Sequence, residues 1–225
     1  MKTRFILVAV ILSLVLITCG PEVKFTEPQP KGISNLKLIP SEYHGKFRSK
    51  SDSTLLIIDS CSIVKEWRST EKMRRDSLDK ELKMHITRDT TFKYRDDKLL
   101  GKSPEFLLLA IHLYKDSAIV KITGYESLFA VSDSQLVRTY KKYCFLNFKT
   151  NDGYWLVKTL RLQDNMLDFS DLIDVKEIDM IKTRAKVIEV KDTSQKVVDY
   201  HMSPNLREMR RILKQKKFDS SFRRF

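Results

Sequence analysis

Three cysteines, four histidines and a basic run near the end of the chain are the residues here whose types can carry chemistry. The histidines, His44, His85, His112 and His201, are scattered, and none lies beside a second His, a Cys or a Glu at a metal-ligand spacing. His112 sits inside an apolar run and reads as a core histidine. There is no G-x-S-x-G elbow, P-loop or G-x-G-x-x-G, and the whole chain holds only six glycines. Asp96-Asp97 reads as a turn. Carboxylates from distant strands could still converge, but no spacing announces it. No catalytic residue, metal site or cofactor is therefore expected.

The one organised charged feature is C-terminal. Between His201 and Phe225 stand eight basic residues against Glu208 and Asp219, a local charge of +6. At 100° per residue, Leu206, Met209, Ile212 and Leu213 share one arc of a helix. Arg207, Arg210, Arg211, Lys214 and Lys217 share another, a polyanion-binding candidate. Such a helix either lies on an anionic membrane or docks its apolar arc on a sheet and leaves the basic arc in water.

The start of the chain is of a different kind. Lys2 and Arg4 precede an apolar run from Phe5 to Ile17, broken only by Ser13. Thirteen residues are too few to cross a bilayer, which needs roughly 20. Positive charge before a short apolar stretch predicts a cleavable signal peptide over 1–18. Its end, Leu16-Ile17-Thr18-Cys19, resembles the lipobox of bacterial lipoproteins, departing from it at Thr18, where Gly or Ala is usual. The resemblance implies a diacylglycerol thioether on Cys19, cleavage just before it, and stable anchoring by two or more acyl chains. Gly20 in place of Asp implies the outer membrane, with the protein facing the periplasm.

Without residues 1–18 the chain would have 207 of its 225 residues, with 40 basic against 29 acidic side chains, a charge of +11. That excess favours anionic lipid, lipopolysaccharide or an acidic protein as partner. Nucleic acid would suit the charge but not the compartment, and is not expected. An oxidising compartment permits a disulfide between Cys61 and Cys144; burial as small apolar residues is the other reading.

The elements that must position these groups read mostly as strands. Residues 19–40, with Pro21, Pro28, Pro30 and Pro40, predict a lipidated tether. An antiparallel β domain is expected over 41–172, with strands at Tyr43–Arg48, Thr54–Asp59, Ser62–Arg68, Ile86–Tyr94, Phe106–Tyr114, Ser117–Thr123, Leu128–Val131 and Leu136–Tyr140. Residues 69–83 predict a short helix on the spacing of Met73, Leu78 and Leu82, and Ser103-Pro104-Glu105 carries a helix-start signal. The clearest hairpin is Tyr143–Lys149 with Tyr154–Leu162 around Asn151-Asp152-Gly153, with a bulge near Lys158-Thr159. Over 173–225 the pattern predicts a short helix, Val175–Ile181, capped by Asp174 and Glu177. A hairpin of Ala185–Val190 and Lys196–Tyr200 follows, then a helix from a Ser203 cap to about Lys217, packed on the β domain. The fold class is mainly β: an antiparallel meander as a curved sheet or barrel, with a short helix and a basic C-terminal amphipathic helix.

The layout of signal, cysteine, proline-containing segment and strand-rich body resembles that of many uncharacterised Gram-negative lipoproteins, and implies no activity. The leading expectation is a lipid-anchored cell-envelope protein, non-enzymatic, that binds an acidic envelope component or protein partner. One alternative is a lipocalin-like barrel whose aromatics (Tyr140, Tyr143, Phe145, Phe148, Tyr154, Trp155 and Phe169) line a cavity for a small apolar ligand or lipid. A hydrolase with an assembled site is the other.

Overall fold

The computed structural model describes residues 20–52, 54–77, 91–95, 98–102, 108–219 and 221–225. Cys19 and the leader, His85, Asp96-Asp97, the Ser103-Pro104-Glu105 signal and most of the Ile86–Tyr94 strand lie outside them. The fold is mainly β and the sheet is open, not closed into a barrel. In chain order the strands are β1 (Glu22–Phe25), β2 (Gly45–Ser49), β3 (Leu55–Ile58), β4 (Ser62–Arg74), β5 (Thr91–Arg95), β6 (Lys98–Lys102), β7 (Leu108–Leu113) and β8 (Ser117–Ala130). They continue as β9 (Gln135–Tyr140), β10 (Tyr143–Lys149), β11 (Trp155–Gln163), β12 (Met166–Asp171), β13 (Val187–Lys191), β14 (Val197–Met202) and β15 (Phe222–Arg224). Residues 75–77 are helical, and α1 (Ile178–Lys182) and α2 (Leu206–Gln215) follow β12 and β14.

The chain divides into two compact units. The first comprises residues 1–36, 133–160 and 170–218, and the second comprises 37–132, 161–169 and 219–225. The two units interleave along the chain, and β11 and β12 contribute to both.

In the first unit the strand order is β13-β14-β1-β11-β10-β9. The β10–β11 hairpin forms as the Asp-Gly signal predicts, with Gly153 at φ +84. Its register runs without interruption from Lys149↔Trp155 to Cys144↔Leu160, so the bulge near Lys158 is absent. No bulge is needed because β11 buries side chains on both faces, Trp155 and Val157 on one and Leu160 on the other. Both faces of β10 are buried, so Tyr143 and Phe145 fill one side while Cys144 and Leu146 fill the other.

Residues 20–40 are no free tether. Val23 and Phe25 alternate inward from β1, which pairs parallel with β14 from Glu22↔Asp199 to Phe25↔Met202. Ile39 is buried, and Leu36 bridges to Val137. A buried polar clasp holds the loop between. The Asn147 side chain accepts from the Gln29 N–H at 2.6 Å and donates to the Gln29 carbonyl at 2.9 Å. Arg138 adds bonds to the carbonyls of Pro28 and Pro30 and to Asn35. Prolines exclude this segment from helix, but they do not prevent a short strand and a loop tied down by side chains.

Lys24 lies between Asp152 of the hairpin turn (3.0 Å) and Asp199 of β14 (2.8 Å). The bond to Asp199 holds the ammonium above its ordinary range, while the Thr150 hydroxyl and then Lys24 depress the Asp152 carboxyl to about 2. A depressed carboxyl contributes fully above its ordinary value of about 3.9 and is lost as pH falls through its folded value. A raised ammonium contributes fully below its ordinary value of about 10.4. The network is thus intact between these limits. Carboxyl NMR should find Asp152 titrating near 2, and Thr150→Val with Lys24→Met should move it toward 3.9; an ordinary midpoint in the unmodified protein would contradict the network.

In the second unit the order is β12-β15-β2-β3-β4-β8-β7-β6-β5. The predicted helix over 69–83 is overturned as far as Arg74: β4 pairs with β8 along its whole length, from Ser62↔Ala130 to Arg74↔Ser117. A ladder of that length outweighs the weak helical spacing of Met73 with Leu78, and the charged side chains there stay exposed. Gly124 makes the ladder's close approach possible: a Cβ there would stand 2.3 Å from the Trp67 ring. The end of the chain, for which the sequence predicts no element past Lys217, forms β15 between β12 and β2. Arg224 fixes it, donating to the carbonyls of Glu42 and His44 with its guanidinium 5.0 Å from the Phe47 ring centre.

The permitted disulfide is not formed. Cys61 is exposed in the turn that Asp59 closes by accepting from the N–H groups of Cys61 and Ser62. Cys144 is fully buried on β10, in the first unit. The thiol of Cys61 faces solvent, so burial as a small apolar residue holds for Cys144 alone.

Candidate functional site

The described candidate residues that come together are those of α2. Its start is not Ser203. Asn205 caps it, accepting from the N–H groups of Arg207 (2.9 Å) and Glu208 (3.0 Å), and Glu208 reaches back to the Asn205 N–H at 2.9 Å. Ser203, two residues earlier, donates to Glu27 instead. The capping box satisfies donors that the first turn leaves open. Asn205→Ala should cost about 1 kcal/mol in thermal or chemical unfolding, and a loss below a few tenths would show the cap to be replaceable by water. The shorter helix at Val175–Ile181 is a 3-10 turn, Val175–Glu177, running into α1; Asp174 caps it through the Lys176 N–H.

Met209, Ile212 and Leu213 are buried with Phe25, Tyr143, Phe145, Trp155 and Val157. The apolar arc is therefore docked on the sheet, and the basic arc points away. Arg207, Arg210, Arg211, Lys214 and Lys217 are all exposed. Among the described residues, none of the five forms an ion pair with a carboxylate. Guanidinium groups left open in this way present planar forks to phosphate or carboxylate oxygens, and the lysines add point charges.

The structure adds residues that the sequence did not join to this arc. Arg210 Nε donates to the Tyr140 hydroxyl, with its guanidinium carbon 5.9 Å from the ring centre. Lys141 Nζ stands 5.9 Å from the same ring. Tyr143 donates to the Leu213 carbonyl at 3.4 Å, so the two tyrosines of the β9–β10 turn, Tyr140-Lys141-Lys142-Tyr143, seat α2. The exposed Lys141, sharing the Tyr140 ring with Arg210, thereby joins the helix arc. Only the tyrosine-flanked Lys-Lys pair at a strand turn hinted at this, 70 residues from Arg210. Two other basic residues prove structural. Lys216 donates to the carbonyls of Asp171 and Leu172, and Arg224 holds β15.

The other groups that can carry chemistry stay apart. His44 bonds to the Ile39 carbonyl at 2.8 Å, and His201 stacks on Tyr154 with ring centres 4.0 Å apart. His112 is half-buried on β7, so it is not the enclosed core residue its surroundings in sequence predict. No group of three metal-ligating side chains occurs among the described residues. Tyr143, Phe145 and Trp155 pack in the core. Among the described residues no helix is long and apolar enough to cross a membrane. Comparison with known protein families, with curated proteins and with solved structures finds no match.

Proposed function

We propose that this is a lipid-anchored protein of the cell envelope, non-enzymatic, that binds an anionic surface through the basic face of α2. The observation that carries the binding reading is the division of α2: the apolar arc is buried while Arg207, Arg210, Arg211 and Lys214, with Lys217 just past the helix end, stand exposed without carboxylate partners among the described residues. Exposed charges that no carboxylate neutralises are open to external anions, and a residue of this kind near an anionic lipid surface contributes about 1 kcal/mol. The anchor reading rests on the lipobox-like Leu16-Ile17-Thr18-Cys19 and the short apolar run before it.

Sedimentation with vesicles tests the binding half. Protein spanning residues 20–225 should pellet with phosphatidylglycerol-containing vesicles at low salt, not with phosphatidylcholine alone, and should release as the Debye length shrinks from about 10 Å at 0.1 M toward 3 Å at 1 M. Equal pelleting with neutral and anionic vesicles would refute it. The anchor half is tested by the mass of the mature N-terminal peptide, where an unmodified Cys19 would refute it.

A further inference from the structure

The first unit has a polarity that the basic arc alone does not reveal. Strands β1 and β10 both run antiparallel to β11, and β14 runs parallel to β1. These three strands therefore start at one end of the unit. The segments leading into them are residues 20–21, the turn at Lys141-Lys142 and the turn over 192–196. Strand β13, antiparallel to β14, ends there at Lys191. Helix α2 leaves β14 at the opposite end, and its last turn comes to the beginning of β10, where Tyr143 bonds Leu213. Lys214 and Lys217 follow that point.

Among the described residues most acids at this end are engaged: Glu189 pairs with Lys182 at 2.7 Å and stands 4.0 Å from Lys191. Asp192 is engaged by its own turn, accepting from the Ser194 hydroxyl and the Ser194 and Lys196 N–H groups. Asp199 is paired with Lys24. Glu22 is exposed. The lysines at this end, 141, 191, 196, 214 and 217, are exposed.

We infer that the end of the first unit at which β1 begins is its membrane-facing surface, with these lysines against the anionic headgroups of the bilayer that holds the Cys19 lipid. The inference deepens the proposed function and rests on its anchor half. Because β1 already begins at Glu22, only three residue steps separate it from Cys19, a reach of about 10 Å. That is no more than a Debye length at physiological salt, about 8 Å, plus a side chain. A flexible tether of about 20 residues would have let either end of the unit face the bilayer; a span this short does not. Lipid and lysines then act as two membrane signals on one surface.

Full-chain protein, lipidated and reconstituted in phosphatidylethanolamine–phosphatidylglycerol vesicles, tests this in a Cys61→Ser background. A fluorophore is placed at Thr193→Cys, in the turn at the membrane-facing end, or at Asn151→Cys, in the turn at the opposite end. A headgroup-attached quencher should quench the first at least about threefold more than the second. Lys141→Glu with Lys196→Glu should narrow that difference in anionic vesicles. Equal quenching, or stronger quenching at 151, overturns the orientation while the N-terminal mass still shows the lipid. A Cys19 without lipid overturns the anchor, and the orientation with it.

Discussion

Asn147→Ala should lower the unfolding free energy by about 3 kcal/mol. Asn147 and Gln29 are both fully buried, and the amide of Asn147 satisfies both backbone groups of Gln29. Truncation leaves an N–H and a carbonyl enclosed without those partners, each costing about 1–3 kcal/mol, with limited relaxation because Arg138 holds the carbonyls on either side. Asn147→Leu keeps the volume and orphans the same groups, so it should be nearly as damaging. That separates lost hydrogen bonds from a cavity. Urea unfolding followed by tryptophan fluorescence gives the magnitude, and hydrogen exchange at the Gln29 amide gives the location. A loss under about 1 kcal/mol would mean that the clasp does not hold residues 28–35 to the sheet.

The clasp also shows where the sequence could and could not be read. The β10–β11 hairpin was legible because its information is local: alternating apolar residues on either side of Asp152-Gly153, where a positive φ is needed. The apolar arc of α2 was legible for the same reason, since burial follows a 3.6-residue period. The role of residues 20–40 was not. Their prolines describe what the segment cannot be, whereas its place depends on β14, about 175 residues away, and on Asn147, 118 residues away. Strand β15 was hidden in the same manner: the sequence predicts no element past Lys217, and only pairing to β2 and β12 makes it a strand. In β4, a weak helical spacing competed with a partner strand beginning at Ser117, and a complete ladder outweighs local propensity. For the candidate site, the four charges on α2 and Lys217 just past it were foreseen, but Tyr140 and Lys141 were not, because the turn joins the helix only through tertiary packing.

Reversing three charges of the arc, Arg207→Glu, Arg211→Glu and Lys214→Glu together, should weaken binding to anionic vesicles by about 100-fold at low salt. Each basic residue near such a surface contributes about 1 kcal/mol, and three lost attractions amount to roughly two powers of ten in affinity. The repulsion introduced by the new carboxylates adds to this. The fold should tolerate the change, because all three side chains are exposed and none forms an ion pair within the described residues. Glu at 207 even suits the positive end of the helix dipole, while Glu at 214 opposes the other end, so the net stability change should stay within about 1 kcal/mol. A matched control comes from the basic residues that do have internal work. Lys216→Gln and Arg224→Gln remove bonds to backbone carbonyls and should lower the melting temperature more than they weaken binding. The contrast is what distinguishes a surface arc from basic side chains that brace the fold: the first set should act on affinity in a salt-dependent way and leave stability nearly constant, and the second should do the opposite. If the triple reversal binds anionic vesicles as tightly as the unmodified protein, the arc is a solvated face and the proposed binding role of α2 fails.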